Sequence, residues 1–171
     1  MKLTTGDKAP ELVNVLIEVP LDSKVKYEFD KETEMVTVDR FLYFDKGYPA
    51  NYGFIPDTLS GDGDPVDVLV LAPYALAPGV VIVAKPIGML ETEDEKGMDA
   101  KLVAVPTEKA NPEFGKYNDI SELPEEIRDT IKYFFENYKK NEPGKWVKVK
   151  NWLGREEALK EITDGIENAK K

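Results

Sequence analysis

Asp62-Gly63-Asp64-Pro65-Val66-Asp67-Val68-Leu69-Val70-Leu71 is the stretch from which the rest of the chain is read. Three carboxylates fall within six residues, at a spacing that matches no helix or strand face. Gly63 permits positive φ and Pro65 fixes φ near one value, so the segment is a bent, preorganised loop. Val68 to Leu71 then forms the continuous apolar run of a buried strand, with Asp67 at its mouth. Carboxylates this crowded repel one another unless a cation sits between them, and hard oxygen ligands suit Mg²⁺, Mn²⁺ or Ca²⁺. The plainer alternative is an acidic surface turn, since Asp, Gly and Pro are common loop residues. An EF-hand is excluded: its sixth position would be Asp67 rather than Gly, and its twelfth Pro73 rather than Glu.

The 171 residues are long enough for one domain, residues 1–171, burying roughly 70% of the unfolded surface. A composition of 42% hydrophobic and 33% charged residues is globular rather than disordered. The net charge of −10, with no sustained basic stripe, argues against a nucleic-acid binder. No apolar run reaches the length of a membrane span and no signal-peptide core opens the chain, so a cytoplasmic protein is expected. Cys and His are both absent, which removes thiolate nucleophiles, thiolate zinc sites and every imidazole base. Catalysis is left to carboxylates, Lys, Arg, Tyr and metals. Gln is missing too while Lys and Glu abound, a pattern that fits a thermophile.

Along the chain, residues 1–11 read as a short polar arm or turn, followed by a strand over 12–19 with Val13, Val15, Ile17 and Val19 on one face and Glu18 opposite. A second strand, 25–29, sets Val25, Tyr27 and Phe29 on one side and Lys26 and Glu28 on the other; a third covers 35–41 and ends near Arg40. Gly47 to Phe54 reads as a Gly- and Pro-punctuated loop whose phenols, Tyr48 and Tyr52, are either packing groups or donors to phosphate. Strands follow over 67–72, from 80 towards Leu90, and from Lys101 to Val105, the last two separated by the acidic loop Glu91 to Asp99. Two helices are predicted, 124–140 and 155–169, with a short extended segment between them. The order suggests a small, mostly antiparallel barrel or curled sheet with helices packed on it.

Taken together these residues resemble the soluble inorganic pyrophosphatases of the single-domain prokaryotic type, family I. The resemblance rests on the central Asp62–Val70 run, on Ile17-Glu18-Val19-Pro20, Lys26-Tyr27-Glu28, Val38-Asp39-Arg40-Phe41 and Tyr48-Pro49-Ala50-Asn51-Tyr52-Gly53. It continues through Asp99 to Pro106, Phe134 to Lys139 and Gly144-Lys145-Trp146-Val147. It implies a mainly β fold with α: a five-stranded OB-like β-barrel flanked by two C-terminal helices. It also implies hydrolysis of pyrophosphate to two orthophosphates by a metal-activated hydroxide, with several Mg²⁺ ions, in a homohexamer. Carried over by position, Asp62, Asp67, Asp94, Asp99 and Glu28 resemble metal ligands, and Asp64 resembles the general base. Lys26, Arg40, Tyr52, Lys101, Tyr138 and Lys139 resemble the phosphate-binding set; Tyr48 resembles a supporting group, and Glu18 and Glu95 match acidic positions at the cavity edge. Such chemistry suits the residue types, because cations neutralise the charge developing on phosphate oxygens.

Two other classes compete. A Mg²⁺-dependent phosphohydrolase acting on nucleotides would need a base- or sugar-binding surface, and none is recognisable. An OB-like binding module would carry an exposed aromatic and basic strand face without clustered carboxylates.

Overall fold

The computed structural model describes residues 2–171; Met1, the first residue of the expected N-terminal arm, lies outside them. Eight strands form among the described residues: β1 (Val13–Val19), β2 (Val25–Asp30), β3 (Met35–Phe41), β4 (Asn51–Phe54), β5 (Asp67–Val70), β6 (Val81–Asp94), β7 (Gly97–Pro106) and β8 (Val147–Leu153). A one-turn helix α1 (Pro112–Gly115) precedes the two longer helices, α2 (Glu125–Asn137) and α3 (Arg155–Ala169). The main sheet runs β1-β4-β5-β7-β6-β8, and β1 also pairs with β6, so five of its strands close into a ring with β8 added outside. This is the expected five-strand closure. β2 and β3 form a separate two-stranded ribbon.

The apolar runs are continuous because the ring strands are buried on both faces. Val68, Val70, Leu102 and Ala104 pack with Ala158 and Ile162 of α3. Their alternating neighbours Leu69, Leu71, Val103 and Val105 pack with Ile131, Phe134 and Phe135 of α2. A slip of one residue would exchange these two sets, so the pairing register is strongly specified.

Three local expectations need correction. Asn51 to Phe54 is a strand rather than loop, held between β1 and β5. The acidic segment is not a loop either: β6 runs on to Asp94 and β7 restarts at Gly97, with Asp94 facing Gly97 and Thr92 facing Asp99 across a tight hairpin. Gly97 enables it with φ +119°, a conformation L side chains rarely adopt. The ring is mostly antiparallel, as expected, with β5 and β7 as its parallel pair. Finally, Val19 does not share the face of Val13, Val15 and Ile17. The β1 register shifts between Ile17 and Val19, and such a bulge re-aims the residues around it. α2 stops at Asn137, which leaves Tyr138 capping its end and Lys139 beyond it.

Candidate active site

A cavity of about 600 Å³ opens where the ribbon, the 62–67 loop, the β6–β7 hairpin and the end of α2 meet. Every residue singled out above lines it: Glu18, Lys26, Glu28, Arg40, Tyr48, Tyr52, Asp62, Asp64, Asp67, Asp94, Glu95, Asp99, Lys101, Tyr138 and Lys139. Nine carboxylates and seven basic side chains share the lining, so it can hold cations and a polyanion together. The ribbon departs from simple alternation. Its pairing register shifts between Lys26 and Tyr27, and Tyr27 and Phe29 join Lys26 and Glu28 on the cavity wall.

Lys101 is the centre of the site. Asp67 on β5 stands beside Lys101 on β7 in the parallel ladder, and Asp99 lies two residues before it on the same face. Its Nζ is 2.9 Å from Asp67 Oδ2 and 2.7 Å from Asp99 Oδ2, and it donates to the Tyr52 hydroxyl at 3.3 Å. Burial works against this ammonium, but Asp67 and Asp99 outweigh it and hold its pKa well above the ordinary value. Lys101 is therefore a fixed positive charge. Burial likewise pushes the Tyr48 and Tyr52 phenols far up and the Tyr138 phenol to about 12, so all three remain hydrogen-bond donors at neutral pH. They sit in an aromatic cluster, with Tyr48 4.8 Å from Phe134 and Tyr138 stacked on Phe134 at 5.0 Å between ring centroids.

The acidic loop folds as its residues dictate. Gly63 has φ +87°, the Asp64 N–H donates to Asp62 Oδ1 at 3.0 Å, and the Ser60 N–H donates to the Asp64 carbonyl at 2.7 Å. Both Asp62 and Asp64 are exposed to the cavity mouth, whereas Asp67 is largely covered. Desolvation raises the pKa of Asp62, with Asp99 and Asp64 adding to it. Burial also raises that of Asp67, with Asp99 adding and Lys101 opposing. Across the cavity, Lys139 lies 3.4 Å from Asp94 Oδ2 and 3.8 Å from Glu95 Oε1. Partial burial opposes ionisation of Asp94, but the Lys96 N–H and the Lys139 ammonium outweigh it and lower its pKa.

An all-oxygen set of this kind fits a hard divalent cation, whose charge would offset the burial that chiefly raises Asp62 and Asp67 and the repulsion from neighbouring carboxylates that adds to it. As the side chains stand, no three acidic groups among the described residues converge to ion-holding distance. The Lys101 ammonium meanwhile bridges Asp67 and Asp99.

Glu18 lies at the β1 bulge, nearly buried, where its Oε2 accepts the Phe29 N–H at 2.8 Å and ties the ribbon to the ring. Burial raises its pKa from 4.5 to about 7, against the lowering effect of that hydrogen bond. Between these values the unfolded chain has released a proton that the folded chain keeps. The stability from this group is thus full below pH 4.5 and is lost as pH rises through about 7. Glu18→Gln should remove that dependence in metal-free protein. Its stability relative to the parent should rise by up to about 3 kcal/mol across the window. Urea unfolding at the two ends of the window measures this, and an unchanged gap would contradict it.

Lys145, Asp39 and Glu142 also belong to the neighbourhood and had no assigned role. Lys145 Nζ lies 3.7 Å from Glu95, Asp39 Oδ2 lies 3.2 Å from Lys26 Nζ, and Glu142 Oε1 lies 3.2 Å from Arg40 Nε. Asp39 and Lys145 fall within stretches that carry the resemblance, but Glu142, inside an Asn-Glu-Pro-Gly turn, reads as solvated surface.

The chain is similar to known proteins along nearly its whole length. The family model described as inorganic pyrophosphatase matches residues 15–170. An inorganic pyrophosphatase of Aquifex pyrophilus is 55% identical over 169 residues, covering 99% of this chain and 96% of the relative. One from Saccharolobus solfataricus is 54% identical over 170 residues, covering 99% of each. The crystal structure of inorganic pyrophosphatase from Thermus thermophilus superposes with a TM-score of 0.95 at 46% identity, over 99% of this chain and 98% of that one. With a family model spanning nearly the whole chain and relatives above half identity at full length, the chain belongs to the inorganic pyrophosphatase family.

Proposed function

We propose that the cavity hydrolyses inorganic pyrophosphate to two orthophosphates with Mg²⁺ as the working ion. The carrying observation is the convergence of Asp62, Asp64, Asp67 and Asp99 with Lys26, Arg40, Lys101 and Lys139 on one lining, contributed by distant parts of the chain. Asp64, exposed at the mouth, takes the proton of the attacking water at its carboxylate as general base. The water oxygen bonds to one phosphorus, the bridging P–O bond breaks, and the bridging oxygen leaves with the second phosphate. Lys26, Arg40, Lys101 and Lys139 hold the phosphate oxygens, with the Tyr52 and Tyr138 phenols donating to them. Their positions are set before substrate arrives, so their charge stabilises the transition state with little reorganisation. Asp62, Asp67, Asp94, Asp99 and Glu28 would hold Mg²⁺, which supplies Lewis acidity and offsets the substrate's charge.

The test is a substrate panel at saturating Mg²⁺. Pyrophosphate should be hydrolysed and nucleoside triphosphates and phosphate monoesters poorly or not at all. Ca²⁺, larger and less strict in geometry, should inhibit, as should fluoride. Preference for a nucleotide would overturn the reading.

We further read the chain as one cytoplasmic domain that assembles as a homohexamer. No helix among the described residues is long and apolar enough to cross a membrane. Met35, Phe41, Tyr74, Val81 and Val83 are exposed, which supports self-association. Light scattering on the same preparation should give about six times 19.3 kDa, and an active monomer would contradict this assembly.

A further inference from the structure

We infer that Glu142 is a positioning residue for the phosphate-binding Arg40, and that the turn between α2 and β8 exists in part to deliver it. The inference rests on the reading of the cavity as the pyrophosphate site. Glu142 is 8% exposed although it sits in a surface turn, and charged side chains are rarely buried unless paired. Its Oε1 forms an ion pair with Arg40 Nε at 3.2 Å, but the pair is not aligned as a hydrogen bond: Arg40 Nε and Glu142 Oε2 are both buried without a hydrogen-bond partner. A buried ion pair with an unpartnered atom on each side works against folding, so its placement calls for a role beyond stability.

Arg40 stands on β3, in the ribbon outside the ring. Its other acidic neighbour is Asp39, 3.8 Å from Nη1 and already 3.2 Å from Lys26. Glu142 takes the Nε side of the guanidinium and leaves the paired Nη edge for phosphate oxygens, the geometry in which Arg recognises phosphate bidentately. The same turn is anchored a second time, by Asn141 Nδ2 donating to the Tyr43 carbonyl at 2.9 Å. It begins at Tyr138 and Lys139, both on the cavity lining. Glu142 thereby locks together two groups of phosphate ligands that reach the site from separate parts of the chain. Without it, Asp39 is the remaining carboxylate paired with Arg40, which then competes with Lys26 for Asp39 Oδ2.

The test is steady-state hydrolysis of pyrophosphate by the parent, Glu142→Gln, Glu142→Asp, Arg40→Ala and the Glu142→Gln/Arg40→Ala double variant. Glu142→Gln should raise KM about tenfold, an ordinary consequence of misplacing a binding group, with kcat within about twofold. Glu142→Asp, which keeps the charge, should recover part of that loss. In the Arg40→Ala background Glu142→Gln should have no further effect, because the group it positions is gone. An unchanged KM, an equal loss in both backgrounds, or no recovery by Asp would each overturn the inference. A merely structural Glu142 would give the equal loss. The parent is the control for the underlying reading: its failure to hydrolyse pyrophosphate would refute the assigned substrate, not the role of Glu142.

Discussion

Asp67→Asn should abolish phosphate release and weaken metal binding together, whereas Asp64→Asn should leave metal affinity near normal and reduce turnover by about 10²–10⁴-fold. The two residues lie in one loop, but the structure separates their surroundings. Asp67 begins β5, is largely covered, and shares the Lys101 ammonium with Asp99 at 2.9 and 2.7 Å. An amide there removes a buried negative charge that nothing nearby replaces. Asp64 is exposed at the mouth, one Pro away from the strand approach, where a carboxylate can meet water directly. Raising the pH should restore part of the Asp64→Asn loss, because solvent hydroxide substitutes for the missing base. Calorimetric metal titration followed by turnover at saturating Mg²⁺ distinguishes the variants. Equal losses of metal affinity would make Asp64 another ligand.

The second large effect concerns the ring. A Cβ on Gly53 would lie 1.9 Å from the Leu16 carbonyl oxygen and 3.0 Å from Ile17 Cα, both backbone atoms of β1. No side-chain rotation relieves such a contact, and β4 is held on its other edge by Val68 of β5. Gly53→Ala should therefore destabilise the fold by more than about 4 kcal/mol, beyond the usual range of single substitutions. Tyr52, its neighbour, should lose its place beside Lys101, so activity should fall with stability. Gly61, with nothing within 4 Å of its would-be Cβ and no positive φ, is the control, and Gly61→Ala should stay within about 0.5 kcal/mol. Thermal unfolding of both variants, compared with the parent, measures this; a Gly53→Ala protein as stable as Gly61→Ala would contradict it.

What could be read in advance followed from how local each signal is. The 62–67 loop was legible because Gly63 and Pro65 constrain the backbone by themselves, and the strand after it because an unbroken apolar run needs burial on both faces. β4 was hidden for the opposite reason. Asn51, Tyr52 and Gly53 have little strand pattern of their own, and the segment is extended because β1 and β5 bond it from either side. The bulge at Glu18 and the shift at Lys26 are equally non-local, and they decide which side chains reach the cavity. The candidate residues converge on one cavity, yet their assignment rested on resemblance, since the spacing of Lys26, Arg40 and Lys139 carries no trace of a shared site. Glu142 gave no signal at all: its burial comes from the fold of a turn, and its partner lies about a hundred residues earlier.

The most direct measurement is phosphate release from pyrophosphate by the purified chain, first in saturating Mg²⁺ and then with excess chelator. Rapid release in Mg²⁺, its loss in chelator, recovery when Mg²⁺ is restored, and silence from Asp67→Asn under the same conditions are the expected results. No release in Mg²⁺, or release that chelator leaves undiminished, would contradict the assignment of this cavity.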